Sequence, residues 1–294
     1  MHKSKIALKL VFLGGLAVTA ATAVAQPQAQ PLTVKMLGSN VYVAEGGGGN
    51  TGIIIGDKGV IVIDAKTTPA SGMQVVDEVK KLTDKPITTV ILTHSDADHV
   101  NGLAAFPKGL TIIAHANNKM EQEQAIAAGG RGAPPKDYLP TKVVTKTRES
   151  DTIDGVAMTL IHIAPAHTSG DLAIYLPAQK MVFTGDLVAT TLPDPLIHLQ
   201  KHGTSQGWID FVSALVKLDA DTYVPGHGDP QTKAQVETRL KNAETKRAKI
   251  VSLVKQGKSL DEIKSALGET AAPAAGAPRF PSFTQTTYEE LTKK

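Results

Sequence analysis

The sequence predicts an α/β protein in which two mixed β-sheets pack face to face with helices on their outer sides. Strand-like runs outnumber helical ones in both halves of the chain, and helices follow groups of strands instead of alternating with them. No G-x-G-x-x-G follows a strand and no G-x-x-x-x-G-K-[ST] occurs, which argues against a nucleotide-binding, doubly wound sheet.

The elements follow in order. Residues 34–45 and 50–65 read as strands joined by tight turns, rich in Val and Ile, with Gly-Asp-Lys-Gly at 56–59 marking a hairpin. Residues 71–84 show apolar spacing of a helix, and 87–93 an uninterrupted buried strand. A strand at 111–115 precedes a helix at 117–129 that glycines stop, and residues 129–140 form a loop. Further strands are expected at 141–146, 157–164, 171–176 and 181–186, then a helix from Trp208 to Leu218 and a short strand at 221–226. A long charged helix spans about 232–255, a shorter one 260–267, and the Ala/Pro-rich stretch 268–285 reads as a loosely packed tail. The Gly-rich 46–49 run precedes a strand, not a helix, so a phosphate loop is disfavoured there.

Residues 1–25 read as a secretory signal. Lys3, Lys5 and Lys9 give a basic start, an apolar run laced with Gly, Ala and Thr follows, and Ala23-Val24-Ala25 is an A-x-A cleavage site. The expectation is a periplasmic or secreted protein with no stable membrane anchor after cleavage. Residues 26–33 are a linker, 34–256 the main domain, and 257–294 a C-terminal helix and tail. The formal net charge of +3 owes three lysines to the signal, so the remaining chain is near neutral and offers no footprint for nucleic acid. With no cysteine, neither disulfide nor thiolate is available as staple, ligand or nucleophile.

Polar residues gather where strands end. The stretch Thr93–Gly102 places His94, Asp96, Asp98 and His99 after the strand at 87–93, His167 follows the strand at 157–164, Asp186 ends the hairpin after it, and His227 lies between two glycines after the strand at 221–226. Imidazole and carboxylate at several strand exits, in small-residue surroundings, point to a metal site rather than to scattered surface polarity.

On these motifs the chain resembles the metallo-β-lactamase superfamily: Asp64 in VIVIDA, THSDADH, His167 in AHTSGD, Asp186 in TGD and His227 in PGHG stand in the family's order, within about Val34 to Arg239. The resemblance implies an αββα sandwich with two divalent metals at one edge. It implies His94, Asp96 and His167 on one metal, Asp98, His99 and His227 on the other, Asp186 bridging both, and Asp98 counted as catalytic. Asp64 is expected to orient a ligand from behind. Zinc is the first expectation, with iron or manganese as alternatives, because Asp96 stands where the family's usual motif has histidine. With Asp96 the centre carries three carboxylates instead of two, which should weaken its Lewis acidity and its hold on anionic substrates. Aspartate rather than cysteine at 186 places β-lactam specificity in doubt.

The implied activity is an exported metal-dependent hydrolase that attacks a carbonyl with metal-bound hydroxide, on a small-molecule β-lactam or amide, lactone, ester or thioester. A di-iron redox protein and a metal-binding protein without turnover are the rival readings. The sequence leaves the oligomeric state open. His198 and His202, in the insertion between the last two motifs, are candidate substrate contacts. His115 and His162 read as structural, and Trp208, the one tryptophan, as core.

Overall fold

The computed structural model describes residues 31–129, 133–269 and 280–293. The expected signal and most of the linker lie outside the described residues, as does the 270–279 part of the Ala/Pro-rich stretch.

One sheet runs in the order β1 (Thr33–Gly38), β2 (Val41–Glu45), β3 (Thr51–Ile55), β4 (Val60–Ile63), β5 (Ile87–Ile91), β6 (Thr111–His115) and β7 (Lys142–Val144). Its first four strands form an antiparallel meander, because tight turns can only return the chain antiparallel; Gly56 N–H donates to Gly59 O at 2.9 Å in the hairpin. From β4 onward the strands are parallel, and the connections lengthen to include α1 (Pro69–Leu82), the single turn α2 (Ala97–Val100) and α3 (Ala116–Ala128). The other sheet runs β13 (Gln231–Thr232), β12 (Thr222–His227), β11 (Met181–Ala189), β10 (Ala173–Leu176), β9 (Val156–Ile161) and β8 (Arg148–Ile153). It is antiparallel except where α4 (Ser205–Leu215) carries the chain from β11 to a parallel β12. Helices α5 (Lys233–Lys255), α6 (Leu260–Ala266) and α7 (Phe283–Thr292) complete the chain.

The alternation of side chains along β4 shows how the layers arise. Val60 and Val62 face the core under α1, with Val75, Val79 and Leu103, while Ile61 and Ile63 face the other sheet, with Leu160, Ile174 and Phe183. Both faces are therefore buried, which is why the strand is an unbroken apolar run. A third core lies beyond the second sheet, where Trp208, Phe211, Tyr223, Leu240 and Phe283 meet. The expected helix–sheet–sheet–helix architecture is the one found.

Three details differ from expectation. β8 was not predicted: its residues alternate between exposed and half-buried and it pairs only with β9, so this edge strand needs no apolar run. β11 does not end at Asp186 but continues to Ala189, shifting its pairing with β12 at Gly185. And the end of the expected loose tail is helical. Ser282 caps α7, Phe283 is 2% exposed, and Glu290 accepts from Ser205 N and Oγ at 2.7 and 2.6 Å while pairing with Arg247.

His115 and His162 stack with ring centroids 3.7 Å apart, and His115 Nδ1 accepts from Asn117 N–H at the start of α3. Burial pushes His115 down to about 4, and His162 pushes it further the same way. The unfolded chain binds a proton at ordinary histidine pH that the fold refuses, so stability falls as pH drops from about 6.5 to about 4. A protonated Nδ1 also cannot cap α3. His115→Asn, which keeps a capping oxygen, should escape this loss, worth on the order of 1–2 kcal/mol. Urea unfolding of both proteins at pH 7 and pH 4.5 tests it; an equal loss in both would sink the argument.

Candidate metal centre

The sequence-predicted residues converge at one edge of the sandwich. β5 ends at Ile91, and a sharp turn delivers His94 before Asp96 begins the one-turn helix that carries Asp98 and His99. His167 comes from the loop between β9 and β10, Asp186 from β11 beside a Gly185 at φ 52°, and His227 from the last position of β12. Two glycines permit the approach: Gly49 lies against the His99 ring and Gly226 against Asp186 Oδ1, and a Cβ at either would overlap the side chain. The loop bearing Gly49 is held by Lys66, a fully buried lysine whose Nζ donates to Ala44 O at 2.6 Å and Gly49 O at 2.7 Å.

The donor spacing decides whether a cation fits. His99 Nε2, His227 Nε2 and Asp98 Oδ2 are separated by 3.4, 3.0 and 3.7 Å. Asp186 adds Oδ1 at 3.4 Å from His99 Nε2, and Oδ2 at 3.5 Å from His227 Nε2 and 3.9 Å from His167 Nε2. Donors about 2.1 Å from a tetrahedral ion stand roughly 3.4 Å apart, so these gaps are those of a coordination shell. His94 Nε2 and Asp186 Oδ1 are buried without a hydrogen-bond partner, a costly state that a cation would relieve.

Charge points the same way. Burial alone would discharge these groups, yet their neighbours outweigh it. Asp186, beside His99, His94 and His167, is held far below the usual carboxylate range, and Asp96 and Asp98 are also lowered. His167 is pushed up to about 9 by Asp96 and Asp186, with His99 and His227 raised as well. A buried cluster that binds protons this firmly is one in which cations could replace them.

Outer hydrogen bonds turn the rings inward. Asp64 Oδ2 accepts from His99 Nδ1 at 2.7 Å and from Thr93 Oγ1 at 2.6 Å, while Thr93 Oγ1 accepts from His94 Nδ1 at 2.9 Å. His167 Nδ1 donates to Leu196 O at 2.9 Å. In each case Nδ1 carries the proton and Nε2 is left for the centre.

Asp98, His99 and His227 form one compact group. A second group is His94, His167 and Asp186; Asp96 meets it at His167, in company with His198, and Asp64 gathers with His94 and His99 behind them. Asp96 Oδ2 stands 3.1 Å from His167 Nε2, 3.6 Å from His94 Nε2 and 3.1 Å from His198 Nδ1. Its Oδ1 accepts from Lys201 Nζ at 2.6 Å, and Lys201 also donates to Ser95 Oγ, whose hydroxyl donates to the buried Glu121. Sequence reading missed Lys201, and only its nearness to His198 in the insertion could have drawn attention to it. His202 is not brought into the site: it holds a left-handed conformation, φ 56°, at the end of a short turn, and does not line the cleft.

The donors open onto a cavity of about 500 Å³. Asp96, Asp98, Asp186, His198 and His227 line its floor, and Leu192, Pro195, Leu196, Phe280 and Phe283 contribute to its walls.

Residues 44–227 match the family model of the metallo-beta-lactamase superfamily. The chain is 30% identical over 198 residues to the 2,4-dinitroanisole O-demethylase subunit alpha of Nocardioides sp., covering 67% of this chain and 57% of that relative's length. A stereoselective inverting sec-alkylsulfatase from Pseudomonas sp. has a similar fold, with a TM-score of 0.69, 18% identity, and 89% of this chain against half of that one. The metallo-beta-lactamase FIM-1 from Pseudomonas aeruginosa, in its mono-zinc form, gives a TM-score of 0.63 at 20% identity, covering 75% of this chain and 98% of its own.

Proposed function

Because the chain belongs to the metallo-beta-lactamase superfamily, we propose that it is a metal-dependent hydrolase of a small molecule bearing an ester, lactone, thioester or amide. The observation that carries the reading is the placement of the donor cluster on the floor of the 500 Å³ cavity, where a substrate can reach it. Asp98, His99 and His227 would hold one divalent ion and His94, His167 and Asp96 the other, with Asp186 shared. When bound, such ions polarise the scissile group and acidify water, supplying a nucleophile at neutral pH. The chain's own residues do the positioning: Asp64 and Thr93 aim His99 and His94, and Leu196 O aims His167. Asp98, on the cavity floor and about a third exposed, offers its carboxylate to an incoming group.

Among similar proteins, one relative is named an O-demethylase and one fold neighbour a sec-alkylsulfatase, both names that point to reactions at an oxygen-linked group. Zinc suits the imidazole-rich donors, and the extra carboxylate of Asp96 also suits iron or manganese. Export is part of the proposal and rests on the basic, apolar and A-x-A features of residues 1–25.

The purified protein should carry two metal ions per chain and lose turnover of ester, lactone, thioester or β-lactam substrates on treatment with dipicolinate. Mass-spectrometric metal analysis beside that panel is the test. Less than one metal per chain with activity retained would overturn the reading.

A further inference from the structure

We infer that the C-terminal segment beyond the family-matched region makes this site selective for uncharged substrates with an apolar arm, and sets it against substrates carrying a remote carboxylate. The inference rests on the hydrolase reading above.

The matched region ends at residue 227, yet Phe280 and Phe283 line the cavity above the donors. Phe280 is 55% exposed at the lip and stacks on His198 with centroids 5.7 Å apart, and His198 in turn packs on His167 at 4.5 Å. Leu192, at the same lip, is 38% exposed. Exposed aromatic and aliphatic surface beside a polar floor is the ordinary form of a binding wall.

The wall is fixed rather than draped. Arg239 of α5 donates to Leu192 O at 2.9 Å and Pro193 O at 3.3 Å, and Lys246 of α5 pairs with Asp194 at 2.6 Å. Phe283 is anchored in the outer core, and α7 is tied by Glu290 to Ser205 and Arg247. The wall's shape is therefore set by α5 and α7, both outside the matched region.

Its chemistry decides what fits. No Lys or Arg occurs among the described residues lining the cavity. The nearby amines are engaged: Lys201 by Asp96 and Ser95, Lys246 by Asp194 and Glu269. Asp194 holds Lys246 at the wall, and the histidines lining it, His198 and His227, already face Asp96 and Asp98. A carboxylate on the arm of a substrate would be stripped of water against Pro, Leu and Phe with no Lys or Arg among the described lining residues to pair with it, whereas a methyl group there would gain from burial.

Two esters differing only at that end test the inference: 4-nitrophenyl pentanoate and mono-4-nitrophenyl glutarate, with the metal-loaded full chain. The uncharged ester should be preferred at least about 30-fold in kcat/KM, a discrimination within reach of one unmatched group. Phe280→Lys should shrink that preference about tenfold, through KM, with metal content unchanged, while Phe280→Leu should keep it. A wild-type preference near unity, or one untouched by Phe280→Lys, overturns the inference. Nile red, an uncharged apolar dye, gives a readout without turnover. If neither ester is hydrolysed but the dye binds and Phe280→Lys weakens it about tenfold, the hydrolase reading fails and the apolar wall stands. If the dye does not bind, or binds both variants alike, the wall fails.

Discussion

Asp186→Ala is expected to lose metal from both sites together, and with it about 10³-fold or more of turnover, the equivalent of several kcal/mol of transition-state stabilisation. Asp186 is the carboxylate that meets donors of both groups, with Oδ1 beside His99 and Oδ2 between His227 and His167. No neighbouring oxygen can take its place, because Asp98 reaches His99 and His227 but belongs to that group alone, and Asp96 sits at His167. His227→Ala, by contrast, removes a donor from one group and should leave the other metal bound. Metal stoichiometry and rates of the two variants in parallel discriminate these patterns. An Asp186→Ala protein that kept two metals and ordinary rates would show that Asp186 bridges nothing.

Asp96→His should bind zinc at least about tenfold more weakly than the double variant Asp96→His/Lys201→Met, and the difference should grow as ionic strength falls. Counting charges along the sequence makes Asp96 an uncompensated third carboxylate, and by that count histidine at 96 should strengthen zinc binding. The structure alters the count. Lys201 Nζ, 2.6 Å from Asp96 Oδ1, cancels the added charge, so Asp96 and Lys201 together present a neutral oxygen donor much as histidine would present a neutral nitrogen. Replacing Asp96 alone strands a half-buried ammonium next to a dication, with Ser95 Oγ the one acceptor left to it among the described residues. Zinc titration against a competing chelator reads the affinity directly. If the single variant binds zinc as tightly as the double, Lys201 has no part in the charge balance of the centre.

Residues whose role is local were legible, and those whose role is made by distant packing were not. His94, Asp98, His99 and His227 end runs such as Ile87–Leu92 and Tyr223–Val224, so the apolar pattern itself marks where they project. Asp64 follows β4 by the same logic. Lys201 has no such frame: it lies on a short turn in an insertion, and its partner stands 105 residues earlier. The α7 helix was illegible for a related reason. Its sequence, FTQTTYEELT, is rich in threonine, a poor helix former, and its order comes from Phe283 in the outer core and Glu290 on Ser205 and Arg247. β8 lacked an apolar run because an edge strand half open to water needs none.

The buried Lys66 makes the loop behind the site its own chemical clock. Burial draws its amine down to about 7, so near neutral pH much of it is the unprotonated, nucleophilic form, unlike an ordinary lysine. Yet it is fully enclosed and both carbonyls hold it, so a reagent such as acetic anhydride can reach it only when the loop at Gly46–Gly49 lifts away. The rate of acetylation at this one position would then count the openings of the loop on which His99 rests. A ligand that settles against the metals should slow that count without touching the lysine.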